Sequence, residues 1–185
     1  MTLPTDAPTF FIGAGASAIA AITGAIVTWL ATSARTRLQF LLDLHREYNS
    51  AAFCDTRAKA HKILQVHAKK NLQEIEILEE GHNVFAVIRF YQRLWLAVEH
   101  RQVPRKLVGR LFGEGFFLWF CEHFEPKVLP MEWQVSRDID CLRQWFLRKQ
   151  RRDADLWIAR AKHDIAKQPK RIQPSQPKAH PAPKP

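Results

Sequence analysis

Between residues 9 and 34 the chain reads TFFIGAGASAIAAITGAIVTWLATSA, without one charged residue or proline. A run of this kind leaves few options, because about 20 apolar residues rising about 1.5 Å each match a hydrocarbon layer of about 30 Å. Phe10, Phe11 and Trp29 lie toward its two ends, where aromatic rings favour the headgroup boundary, and Arg35 and Arg37 close it. A cleaved signal peptide would start with a positive segment. The leading residues MTLPTDAP instead contain Asp6 and no Lys or Arg, so the run is expected to be a retained transmembrane helix. Arg35, Arg37 and Arg46 all follow it, which places the N-terminus outside and the C-terminal domain in the cytoplasm. Within the run, Gly13, Ser17, Ala20 and Gly24 recur at four-residue spacing, a small-residue face on which two membrane helices can approach closely.

The remaining chain is expected to be all-α. Hairpin dipeptides such as Asn-Gly are absent and only seven glycines occur, too few turn signals for a sandwich or barrel. The anchor helix should continue to about Tyr48, since Leu38, Leu41, Leu42, His45 and Tyr48 keep helical spacing. Asn49-Ser50 should turn the chain into a second helix over residues 51–69, with Ala52, Ala60, Ile63, Leu64 and His67 on its apolar face. Asn71 and Glu74 have capping-box spacing, and Phe85, Ile88, Tyr91, Trp95 and Val98 form one face of a helix over residues 82–101. Pro104 suits the first turn of a buried helix over residues 104–124, Pro126 and Pro130 mark a loop, and Ser136 is expected to cap a last long helix reaching residue 167. The expected organisation is a short tail (1–8), a transmembrane helix (9–34), a cytoplasmic bundle of four to five helices (35–167) and a basic, proline-rich disordered tail (168–185).

Charge and cysteines narrow the setting. The formal net charge is +10, of which residues 151–185 supply +6. Arg148, Lys149, Arg151 and Arg152 form a basic cluster suited to an anionic partner, with plain solvation as the simpler use. Three widely spaced cysteines, Cys54, Cys121 and Cys141, lie in apolar contexts without a Cys-x-x-Cys pair, and read as small core hydrophobes in a reducing compartment.

Residues with catalytic potential do not form a recognised set. His61 and His67 are six apart, and Cys121/His123 and Glu122/His123 are too close in sequence to face one another on an α-helix, so no metal or cofactor is expected. A Gly-x-Ser-x-Gly elbow is missing, and Gly109, Gly113 and Gly115 lack the Lys-Ser/Thr of a phosphate loop; they read as packing positions in an aromatic helix. The chain therefore reads as non-enzymatic. The six Trp and twelve Phe recur at helical spacing, which indicates a core rather than a base-stacking platform.

With the N-terminal span in front of them, the segments RTRLQFLLDLHREYNSAAFCDTRAKAHKIL, VFAVIRFYQRLWLAVEH and GEGFFLWFCEHFEP, with the pair Trp145–Phe146, resemble a bacterial membrane-anchored family of unknown function. The resemblance spans about residues 34–148. It implies a bacterial inner-membrane protein with a cytoplasmic helical domain and no established activity. The expected partners are the lipid bilayer and a protein, either another chain or a second copy, which makes the molecule a membrane-tethered interaction module. An oligomeric effector that perturbs the membrane is the alternative, and a nucleic-acid tether through the basic tail is the weaker one.

Overall fold

In a computed structural model of the chain, residues 7–67, 70–125 and 133–167 are described, with side chains from residue 25 onward. Seven helices account for nearly all of them: α1 (Ala7–Tyr48), α2 (Ala51–Val66), α3 (Leu72–Glu76), α4 (His82–Glu99), α5 (residues 105–124), α6 (Gln134–Lys149) and α7 (Arg151–Lys167). The all-α expectation holds, and no strand occurs among the described residues.

The first helix has two characters. From residue 25 to Phe40 it stands almost clear of the bundle, with Trp29 67% exposed and Ile26, Val27 and Leu30 each more than half exposed. Then Leu41, Leu44 and Tyr48, spaced three and four apart, turn inward and are buried. Among the described residues no helix is long and apolar enough to cross a membrane. The side chains of residues 9–24, including Phe10, Phe11, Gly13, Ser17, Ala20 and Gly24, lie outside those described.

Local chemistry explains the next boundaries. Ser50 Oγ accepts from the Phe53 amide at 3.2 Å and starts α2. Asn71 Oδ1 accepts from the Glu74 amide at 2.8 Å and starts α3. α4 lies between α2 and α6, and α7 packs along α5. The core joins these layers through rings: Tyr48 lies 5.2 Å from Phe90, Tyr91 5.3 Å from Phe116, and Phe116 5.4 Å from Phe146. Such offset and edge pairs add about 0.5–1.5 kcal/mol each beyond the area they bury. From Tyr48 on, the described aromatic side chains are buried or half-buried, as their spacing indicated, whereas Trp29 and Phe40 are exposed.

α5 is the central buried element, with Phe112, Phe116 and Phe117 almost wholly enclosed. It is not a uniform α-helix. Two wider π-helical turns, Gly109–Gly113 and Phe120–Phe124, interrupt it. Its glycines pack as expected: a Cβ on Gly113 would overlap the Trp157 ring, and one on Gly115 the Tyr48 hydroxyl.

Four expectations are corrected. The last long helix is two helices, broken at Gln150 (φ −137°, ψ 42°), which turns α7 so that Ala154, Ala161 and Trp157 lie toward the core. Leu156 is 66% exposed as a result. Ser136 is not the cap, since α6 begins at Gln134 after Trp133 and Ser136 is buried within it. Cys54 and Cys141 are exposed, so only Cys121, half-buried, keeps part of the core role assigned to all three. Ala52 is likewise exposed. Pro126, Pro130 and the tail from residue 168 lie outside the described residues.

Candidate functional site

The α4–α5 connection meets the emergent part of α1. Helix α4 ends with the Arg101 amide donating to the Val98 carbonyl (3.2 Å) and the Gln102 amide to the Ala97 carbonyl (2.9 Å). These are the two bonds of a Schellman cap, whose αL position is usually glycine. Here it is Arg101, at φ 56°, the one non-glycine residue with positive φ among the described residues. An L-residue pays roughly 1–2 kcal/mol for that conformation. The strain carries a guanidinium to the mouth of a groove of about 580 Å³ walled by Trp29, Thr32, Ser33, Thr36, Arg37 and Phe40 of α1 and by His100–Gln102.

Two further clefts continue from it. Arg37 and Arg101 also line a recess of about 340 Å³ with Ala34, Val103, Pro104 and Arg105. Arg105 in turn lines a cleft of about 430 Å³ with Lys106, Arg110, Trp145, Lys149, Gln150 and Asp153. Arg105 is held in place because its Nε and Nη2 donate to the Val98 carbonyl at 3.3 and 3.1 Å. The Trp145 side chain is 6% exposed, and its indole N–H finds no acceptor among the described residues. A buried donor of this sort costs about 1–3 kcal/mol unless something accepts from it.

Shared residues link the three clefts into one basic belt running from the exit of α1 to the end of α6. Elsewhere on the surface, Arg46, Lys59, Arg93, Arg143 and Arg160 lie against carboxylates. Arg37, Arg101, Lys106, Arg110 and Lys149 have no ion-pair partner among the described residues, and neither do Arg35, Arg89, Arg137, Arg151 and Arg152 outside the belt, so the belt is marked by its convergence.

No protein-family model, curated protein or solved structure matches the chain.

The sequence-predicted sites divide across this geometry. Trp29 and Arg37 line the first groove, while Arg35 sits on a neighbouring exposed face with Thr36 and Gln39. Of the basic cluster Arg148, Lys149, Arg151 and Arg152, only Lys149 joins the belt; Arg148 donates to the Gln144 carbonyl at 3.3 Å, and Arg151 and Arg152 are exposed on α7. Arg101, Arg105, Lys106 and Arg110 were missed, although residues 101–110 carry these four cations and no acid.

A second convergence lies between α2 and the last turn of α5. His61 Nδ1 is 2.9 Å from His123 Nε2 and 3.5 Å from Glu122 Oε1, and Glu122 Oε2 is 3.8 Å from His123 Nε2. The expectation that Glu122 and His123 diverge is corrected: they belong to the π-helical turn, where successive side chains fan out less than on an α-helix. His67 does not join the group. Beside it, burial and then Glu125 push the Cys121 thiol up; on α6, burial and then Asp140 push the Cys141 thiol up, which disfavours thiolate at either.

Proposed function

We propose that the chain is a single-pass inner-membrane protein whose helical domain is held against the anionic leaflet by its basic belt. It is then a membrane-tethered module that lies along the bilayer surface rather than floating from it. The observation that carries this reading is the continuity of the belt with the end of the apolar run. Arg37 stands three residues beyond Ala34, about 4.5 Å along the helix axis, and lines the same recess as Arg101 and Arg105. That distance is inside the screening length of about 8 Å at physiological salt, so cations there feel the negative surface potential. Each contributes about 1 kcal/mol when close to an anionic surface. The exposed Trp29 at the groove supports the same placement, since an indole ring favours the headgroup layer.

Two measurements test this. Full-length chain expressed in bacteria should stay with the membrane pellet after alkaline carbonate washing, and release into the supernatant would refute the span. A photo-crosslinking amino acid at Lys106 should label phosphatidylglycerol in mixed-lipid nanodiscs, and labelling should drop several-fold when Arg37, Arg101 and Arg110 are changed to Glu. Equal labelling in the charge-reversed chain would leave the tether and remove the belt.

A further inference from the structure

We propose that His61, Glu122 and His123 bind a zinc-class divalent cation that ties α2 to the C-terminal turn of α5. The argument is independent of the membrane reading. Two imidazole nitrogens and one carboxylate form the donor set that suits zinc and its neighbours, whereas calcium and magnesium prefer oxygen throughout. Tetrahedral coordination with metal–ligand distances of about 2.0–2.2 Å puts neighbouring ligand atoms about 3.3–3.5 Å apart. The two imidazole nitrogens are 2.9 Å apart and each has a Glu122 oxygen within 3.8 Å, Oε1 at His61 and Oε2 at His123; with one atom per residue the three ligand atoms lie within 4.8 Å of one another, so a turn of the Glu122 carboxylate and small side-chain shifts would close the triangle.

The supporting framework is already built. His123 is buried, at 4% exposure, and the Trp119 ring packs 4.8 Å from it, so its imidazole is held from one side. The Glu122 side chain is 12% exposed and that of His61 35%, which makes His61 the face open to solvent. A cation held by three protein ligands on that side keeps its fourth position for water. The Gln65 side chain, one turn beyond on α2, hydrogen-bonds His61 Nε2. In the structure the Gln65 amide nitrogen faces His61 Nε2; with the metal on Nδ1 that ring nitrogen carries the proton, and the amide turned end for end would accept from it through its oxygen, the outer contact that orients a ligating histidine. The π-helical turn matters because it lets consecutive residues, Glu122 and His123, reach one point; such turns are common at functional sites.

The test uses the full-length chain without a histidine tag, stripped with a chelator in detergent. Zinc is titrated by calorimetry, and Co(II) by its visible absorption. The expected result is one tight ion per chain and the intense bands of four-coordinate Co(II). His61→Ala should weaken zinc by about 100-fold or more and Gln65→Leu by about 10-fold, while His82→Ala, at the exposed start of α4 and outside the group, leaves it unchanged. Because His61 and Gln65 are only partly buried, these variants should fold, which far-ultraviolet circular dichroism checks. Absence of zinc binding, or affinity unchanged in folded His61→Ala, overturns the site. So does equal loss in His82→Ala, which would assign the binding to scattered surface histidines among the eight in the chain.

Discussion

Replacing Arg101 with glycine should make the protein more stable and its membrane contact weaker. Arg101 occupies the αL position of the Schellman cap at φ 56°. An L-residue there costs roughly 1–2 kcal/mol, whereas glycine adopts the conformation freely. Glycine also enlarges the freedom of the unfolded chain, which offsets roughly 0.5–1 kcal/mol of that gain. The side chain is exposed, so its removal opens no cavity. The balance is a gain of about 0.5–1 kcal/mol, or a rise in Tm of about 2–4 °C for a domain of this size. Binding to an anionic surface should fall at the same time by about fivefold, the equivalent of one cation at about 1 kcal/mol.

Two controls separate backbone from charge. Arg101→Asn tolerates αL better than arginine and lacks the charge, so it should lose lipid affinity with a smaller rise in Tm than glycine gives. Arg101→Ala loses the charge without relieving the strain. Melting of the full-length chain in detergent, with affinity measured by nanodisc binding to surfaces with and without phosphatidylglycerol, reads both quantities. A Tm in Arg101→Gly at or below that of the parent would refute the strain argument. An unchanged preference for anionic lipid in all three variants would refute the role given to the guanidinium.

Three other outcomes follow from the packing. The chain has two tyrosines, Tyr48 and Tyr91, whose hydroxyls lie 3.2 Å apart in the core, and burial first and then Tyr48 raise the Tyr91 phenol well above its usual value. A raised acid binds more protons folded than unfolded, so its stability contribution is intact below about pH 10 and is lost as pH climbs beyond it. Ultraviolet titration should therefore show at least one phenol ionising only with unfolding, and Tyr91→Phe should flatten the alkaline decline; ionisation of both near pH 10 in folded protein would contradict this. Gly113→Ala, pressed against the Trp157 ring, should cost about 1–3 kcal/mol, while Gly109→Ala meets only the flexible end of Gln150 and should fall within about 1 kcal/mol of neutral by urea melts; equal effects would negate the distinction. Asp138, buried and accepting from Gln92 Nε2 (2.7 Å) and Gln134 Nε2 (2.8 Å), should cost about 1.5–3 kcal/mol as Asp138→Ala, with Asp138→Asn between; a neutral alanine variant would show that these bonds contribute nothing net.

What could be read in advance was whatever one stretch of chain decides alone. The run of α1 to Tyr48, the caps at Ser50 and Asn71 and the packing role of Gly113 each depend on neighbours within a turn or on side-chain size. The break at Gln150 did not announce itself, because RKQRRD contains no glycine or proline and each residue is a fair helix former. Tertiary packing decides it: a helix continued straight from α6 would not lay Trp157 on Gly113, and the bend does. The same packing explains why Leu156 faces solvent although its spacing fits a stripe.

The two clusters were hidden for different reasons. Residues 101–110 show their four cations openly, but the belt exists only because a capped turn sets Arg101 beside Arg37 and because α6 brings Lys149 across to Arg110. Charge density was visible; convergence was not. His61 and His123 are 62 residues apart, and no spacing rule links positions that meet through separate helices. Their meeting falls in a π-helical turn, where Glu122 and His123 stand somewhat closer in direction than the about 100° of an α-helix. Periodicity assumes 3.6 residues per turn everywhere, so it fails where α5 widens, and that is where the ligating atoms gather.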